Sequence, residues 1–214
     1  MPIEMLVEDS SGHRLLDILL PQIWGPQGQN HTWRVTSYKG MGRIPTNLNA
    51  KADPSKHILL DRLRQVLPGL GKTPGIDAVV IVSDADKRDC RIFLAELKAL
   101  ATTCNPQPAT VFRLAIEEIE AWCLGDFAAL TGAYPRAKRA VLQSDVQDSA
   151  CDTWALLADA VHPGGSTALK KAGWPLPGQV KHEWAEKIGP LMALDKNTSP
   201  SFGKFRDGLR QLAV

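Results

Sequence analysis

Short apolar runs that end in acidic residues recur along the chain. The first, Ile3 to Val7, passes directly into Glu8, Asp9, Ser10, Ser11 and Gly12. A brief apolar run bounded by turn residues predicts a strand. Beyond it Leu15, Leu16, Leu19 and Ile23 fall at helical spacing, with Ser10 or Ser11 placed to cap the helix and Pro21 and Gly25 to end it. Trp33 to Tyr38 predicts a second strand inside the Gly-, Gln-, Asn- and Pro-rich stretch from Pro26 to Asn49. Ser55 is placed to cap a helix through Leu67, with Leu59, Leu63, Val66 and Leu67 on one face, and Pro68 and Gly69 to end it.

Ala78 to Val82 is apolar without interruption. It predicts a central parallel strand, because such strands are covered on both faces and need not alternate. The strand stops at Ser83, Asp84, Ala85 and Asp86. A helix from about Arg88 to Ala101, with Ile92, Leu94, Leu97 and Leu100 as core contacts, returns the chain to a further strand, Ala109 to Ala115, completing a βαβ unit. That strand also runs into acid: Glu117 and Glu120 would share a helix face, Glu118 would point elsewhere, and Ile119 and Trp122 would pack. Acids in a first helical turn also complement the helix dipole, an equally good reading. Residues 127 to 160 read as more helix with a break near Tyr134 and Pro135. A loop-rich region from His162 to Gly178 follows, then a short helix near Val180 to Ile188 carrying Lys181 and Lys187, and a last helix to Leu212. The expected fold class is α/β: a mainly parallel central sheet with helices on both faces over residues 1–126, and a helical, loop-rich C-terminal part over residues 127–214 packed on it.

This pattern puts Glu8, Asp84 and Asp86 at carboxyl ends of strands, where open α/β sheets bind ligands. Three carboxylates gathered there repel one another unless a cation neutralises them, and Mg²⁺ takes oxygen ligands of this kind. They are therefore expected within reach of one cation, with Glu118 and Glu120 bordering the same cleft. A DxD after a strand is by itself a weak motif, as common in loops and helix caps. Lys39 to Arg43 is basic and glycine-containing but lacks the order of a phosphate loop, so a plain turn is the better reading. The five histidines form no HxH or HxxxH pair, and no GxSxG occurs.

Composition narrows the classes. A chain of 214 residues, 44% hydrophobic, can bury a full core as one large domain or one domain with an appendage. It contains no apolar run long enough to span a bilayer, and its start lacks the features of a signal peptide, so a cytoplasmic protein is expected. Cys90, Cys104, Cys123 and Cys151 are widely spaced without CxxC, which suits reduced thiols rather than a zinc or redox motif. Net charge is +2, but residues 160–214 carry 8 Lys and Arg against 4 Asp and Glu. A basic tail can attract phosphate backbones, although a solvated surface explains it as well.

Glu8 after the first strand and Asp84 and Asp86 after a later one, in this order of elements, resemble a Toprim domain. That Rossmann-like fold is shared by topoisomerases, primases and the overcoming-lysogenization-defect nucleases. More closely, VEDSSG, KGMGRIPTNL, VLPGL, IVSDADKRDC, IEEIEAWCLGD and NTSPSFGKFRDGL are similar to an uncharacterised bacterial family with a Toprim-like core, over nearly the whole chain. One departure is Asp9 to Gly12, where the family pattern favours a glycine directly after the glutamate. The resemblance implies phosphodiester hydrolysis of DNA or RNA dependent on Mg²⁺ or Mn²⁺. In it Asp84 and Asp86 are metal ligands, Glu8 is base or ligand, and Glu118 and Glu120 are weaker candidates for a second metal. It also implies an ATPase partner in a phage-defence pair. Lys204 or Arg206 is a candidate for steadying transition-state charge, with solvated tail residues the better reading.

The competing expectation is a non-catalytic Toprim-like module that binds nucleic acid, nucleotide or a partner protein without cutting. The near-neutral net charge and the lack of an obvious basic stripe favour it. A receiver-like domain also gathers acids at strand ends, but no lysine after a strand fits that pattern.

Overall fold

The computed structural model describes residues 1–44, 56–143, 147–148 and 152–212. Ser55 and Cys151, read above as a helix cap and a reduced thiol, lie outside the described residues. Among these residues the sheet has four strands: β1 (Pro2–Val7), β2 (Thr32–Ser37), β3 (Ala78–Asp84) and β4 (Thr110–Ala115). All pairings are parallel and the order is β2-β1-β3-β4. The expected α/β class and parallel sheet are thus observed.

Alternation along the strands explains the two-sided core. Ile3, Met5 and Val7 with Val80 and Val82 face one cluster, while Leu6 with Val79 and Ile81 faces the other. The first face is covered by α1 (Ser10–Trp24) and by the later helices α4 (Glu120–Leu124), α5 (Phe127–Ala133), α6 (Arg139–Gln143), α7 (Thr153–Val161), α8 (Gly165–Ala172), α9 (Leu176–Ile188) and α10 (Pro200–Gln211). The second is covered by α2 (Leu59–Lys72) and α3 (Cys90–Thr102). On the first face Trp122 stacks on Phe205 with ring centroids 4.6 Å apart, and its Nε1 donates to Ser201 Oγ at 3.1 Å. The C-terminal helices therefore share one core with the sheet rather than closing one of their own.

Connectivity sets the position of the cleft. From β1 the chain crosses by α1 to β2 on one side, whereas from β3 it crosses by α3 to β4 on the other, over the opposite face. The connections leaving the carboxyl ends of β1 and β3 consequently run to opposite faces at a topological switch point, the usual ligand crevice of an open α/β sheet.

Several local expectations are corrected. The cap of α1 is Asp9, not Ser10 or Ser11: its carboxylate accepts from Gly12 N at 2.7 Å and from Ser11 Oγ at 2.8 Å. Pro21 lies inside α1, and Pro68 and Gly69 lie inside α2. In α3 the buried face is Phe93, Leu97, Leu100 and Ala101, and Ile92 is 62% exposed. The loop-rich region after His162 contains α8. Its start is formed by Gly164 in the left-handed region at φ 80, and Asp159 accepts from Ser166 N at 2.6 Å. Among the described residues no helix is long and apolar enough to cross a membrane.

Candidate active site

A cavity of about 850 Å³ opens at the carboxyl ends of β1 and β3, and Glu8, Asp84 and Asp86 all line it. Val7 pairs with Val82, so Glu8 leaves β1 within about one residue of the level at which Asp84 ends β3. The segment after β2 closes one wall. Gly40 N donates to Glu8 O at 3.0 Å and Lys39 N to His57 O at 2.8 Å, bringing Lys39, Gly40 and His57 into the lining. The turn from Lys39 is therefore a wall of the cleft, not a remote connection.

Asp86 is held differently from the other two. Its backbone is left-handed at φ 48, and its N–H donates to Glu117 O at 2.9 Å, which turns the chain out of β3. Left-handed backbone at a non-glycine residue is uncommon, is tolerated best by Asp and Asn, and concentrates where geometry serves function.

The electrostatics are those of crowded acid. Burial, then the charges of Asp86 and Asp9, push the Glu8 carboxyl up to about 7, while the backbone amides of Asp84 and Met41 pull it back. Glu8 Oε2 is buried and has no hydrogen-bond partner among the described residues. Asp84 is raised well above the usual carboxylate range by burial and then by Glu8 and Glu120, although part of its surface meets the cleft. Asp86 is raised by burial, opposed by Arg88. Among the described residues the lining holds Glu8, Asp9, Asp84, Asp86 and Glu118 against Lys39 and Lys181 as fixed cations. That imbalance favours a bound cation.

Glu117 and Glu118 have other tasks. Glu117 accepts from the backbone N–H groups of Asp152 and Thr153, the latter at 2.7 Å. Glu118 Oε2 accepts from Trp154 N at 3.0 Å and Thr153 Oγ1 at 3.3 Å. Asp152 makes no side-chain cap, so this acidic pair satisfies the first amides of α7 from outside the helix. Glu117 and Glu120 do not share a helix face as expected, because Glu117 is left-handed at φ 62 and α4 begins at Glu120. Glu118 does border the cleft. Glu120 is buried, 4% exposed, and lies outside the lining, in a narrow crevice between Leu15, Cys123 and Trp184.

Lys181 is the functional candidate that sequence reasoning passed over. Carried by α9, which packs along α1, it sets its Nζ 3.5 Å from Glu118 and 3.2 Å from Glu120, and it lines the cleft. These acids hold its ammonium protonated well above the usual lysine range. In the sequence Lys181 is only a basic residue of a short helix, because its partners stand some sixty positions earlier in the chain. Lys204 is exposed. Arg206 bonds Leu194 O and pairs with Asp195 and Asp207, away from the cleft lining.

Among the described residues, no three Asp, Glu, His or Cys side chains are gathered tightly enough to make a metal cage. The expectation that Glu8, Asp84 and Asp86 lie within reach of one cation is thus met only as far as a shared cleft. This donor set still suits Mg²⁺, which keeps most of its water and is typically held by one or two carboxylates together with substrate phosphate. The unpartnered buried oxygen of Glu8, beside the raised carboxyl of Asp84, is the feature that fits such an ion best.

A family model described as Domain of unknown function (DUF4276) matches residues 7–210, so the chain belongs to that family. No curated protein and no solved structure matches.

Proposed function

We propose that this DUF4276 member is a Mg²⁺-dependent phosphodiesterase acting on nucleic acid, with a Toprim-like arrangement of acids at the ends of β1 and β3. The observation that carries the reading is the meeting of Glu8, Asp84 and Asp86 in one cleft at the topological switch point, with Glu8 Oε2 buried and unpartnered. Asp84 and Asp86 would hold the ion and Glu8 would serve as proton acceptor or further ligand. A bound Mg²⁺ polarises a phosphoryl oxygen and stabilises the oxyanions of the displacement.

The chain's own residues divide the remaining work. Glu8, with its carboxyl near 7, is suited to taking a proton from an attacking water at neutral pH. Lys181 keeps its positive charge at the cleft wall, where a pentacoordinate phosphorus would develop negative charge. An ATPase partner in a phage-defence pair is part of this proposal through the Toprim resemblance.

The test is incubation of the purified protein with plasmid DNA and with RNA in Mg²⁺, in Mn²⁺ and in EDTA, beside Asp84→Asn and Asp86→Asn. Asn keeps the volume of both residues and tolerates the left-handed backbone at position 86. Cleavage that needs metal and falls by roughly two orders of magnitude or more in either variant is expected. Absence of cleavage by the wild type, or undiminished cleavage by both variants, overturns the reading.

A second reading is a non-catalytic module that binds nucleic acid, nucleotide or a partner protein in the same cleft. Two observations favour it: no ready three-residue ligand set is present among the described residues, and Lys181 already supplies some counter-charge. Binding that depends on Asp84 without hydrolysis would select it.

A further inference from the structure

Beside the acidic cleft lies a second cavity of about 370 Å³, whose lining includes Trp154, Trp174, Lys170, Pro177, Lys181 and Glu118. Trp174, Lys181 and Glu118 belong to both cavities, so the indole of Trp174 stands on the rim between them. It is 78% exposed, more than any other large apolar side chain among the described residues. The ring is nevertheless in contact with the fold on one side. It lies against Gly178, three residues before Lys181 on α9, so closely that a methyl group at position 178 would collide with the ring. The bare backbone of Gly178 thus supports one part of the indole while the rest faces solvent.

The surroundings define the ligand. Lys170 places its Nζ 5.4 Å from the centroid of the half-buried Trp154 ring, and Lys181 stands where the two cavities meet. The carboxylate of Glu118, which also faces this cavity, is engaged by Lys181 and by the first turn of α7. An exposed flat ring, flanking cations and direct continuity with a carboxylate cleft match the recognition of unpaired polynucleotide: bases stack on aromatic faces and phosphates follow the cations. A duplex cannot offer an unstacked base to such a rim.

We infer that Trp174 is a stacking platform for a base of single-stranded nucleic acid, seating the nucleotide next to the phosphate that enters the Glu8–Asp84–Asp86 cleft. This rests on the phosphodiesterase reading for the chemistry at the cleft, but not for the binding itself. The second cavity takes the flanking nucleotide, with Lys170 and Lys181 toward its phosphates.

The experiment is fluorescence anisotropy with labelled oligo-dT and oligo-U of about 12 nucleotides, within the span of typical single-strand sites, and a duplex of equal length. It is run in Ca²⁺ and again in EDTA, so that binding is read without turnover. The wild type is expected to prefer single strands over the duplex in both the dT and the U arm. Trp174→Ala should weaken single-strand binding at least about 5-fold, and Trp174→Phe should retain most of it. Gly178→Ala, which favours the helix but displaces the indole, should weaken binding without lowering the melting temperature. Equal affinity of Trp174→Ala and wild type for single strands, equal affinity of the wild type for duplex, or no binding of any strand overturns the platform. Platform and chemistry fail separately. Tryptophan-dependent binding without cleavage in Mg²⁺ supports the platform and removes the phosphodiesterase reading. Cleavage with binding indifferent to Trp174 does the reverse.

Discussion

The ammonium of Lys181 lies 3.2 Å from Oε2 of Glu120, a carboxylate buried to 4% exposure, and this contact joins α9 to the start of α4 beneath the cleft. Burial pushes the Glu120 carboxyl up to about 7 even though Lys181 opposes this. Removing the lysine leaves a buried acid with no counter-charge.

Lys181→Met is therefore expected to destabilise the protein by about 2–4 kcal/mol at pH 8. The loss should be smaller at pH 6, where the orphaned acid takes up a proton more readily. Lys181→Met combined with Glu120→Gln should recover part of the loss, because the uncompensated charge is gone. Urea unfolding of the four proteins of this cycle reads the coupling. A double variant whose loss equals the sum of the losses in Lys181→Met and Glu120→Gln would show that the ion contact contributes nothing.

Glu8 gives a pH dependence with a definite sign. Its carboxyl stands at about 7 in the folded protein against an ordinary 4.5. Between those values the folded state binds more protons than the unfolded one, so the contribution of Glu8 to stability declines as pH rises through that window. Without metal, Glu8→Gln should be more stable than wild type at pH 8, by about 1–3 kcal/mol, and close to it at pH 4. Thermal melts at a series of pH values check this, and a flat difference between the two proteins would contradict it. Because protons and metal compete for the same carboxylates, Mg²⁺ affinity should rise over the same window in the wild type.

The sheet was legible because its strands announce themselves. Ala78 to Val82 is apolar on both faces, and each acidic exit lies where the run stops, so the pattern alone puts Glu8, Asp84 and Asp86 on one edge. Which side chain would cap α1 was not legible, since Asp9, Ser10 and Ser11 are all good caps in adjacent positions. Pro68 misled because its missing N–H usually ends a helix, yet the apolar face of α2 at Leu59, Leu60, Leu63 and Leu67 is buried deeply enough to carry the helix through it. Gly164 and Gly165 read as breakers, but a left-handed glycine also opens α8. Glu117 and Glu118 resembled the first turn of their own helix. They serve a different one, α7, and a partner more than thirty residues away leaves no local signature.

That remote cap has a measurable worth. Glu117→Ala removes the acceptor of the first amides of α7 and is expected to cost about 1–2 kcal/mol. Glu118→Gln keeps an acceptor for Trp154 N and leaves Lys181 its contact with Glu120, so it should cost less than Glu117→Ala. If the role of Glu118 is to cap, Mg²⁺ affinity of Glu118→Gln stays within a few-fold of wild type. A drop of 10–100-fold, the usual result of disturbing a metal's ligands or their supports, would return Glu118 to the ligand set.

Metal binding itself can be separated from turnover. An ion that binds the folded state alone stabilises it by mass action, about 2.7 kcal/mol at one hundred times its dissociation constant. For a chain of this length that corresponds to a rise of roughly 5–10 °C in melting temperature. Saturating Mg²⁺ should therefore raise the melting temperature of the wild type and leave Asp84→Asn unmoved. Asp84→Asn should itself melt higher than wild type in EDTA, since it relieves the repulsion that Glu8 and Glu120 exert on the Asp84 carboxyl. The two effects have opposite signs in one variant, stabilising without the ion and blind to it, which general loss of structure cannot imitate. Equal Mg²⁺-dependent shifts in wild type and Asp84→Asn would remove Asp84 from the site.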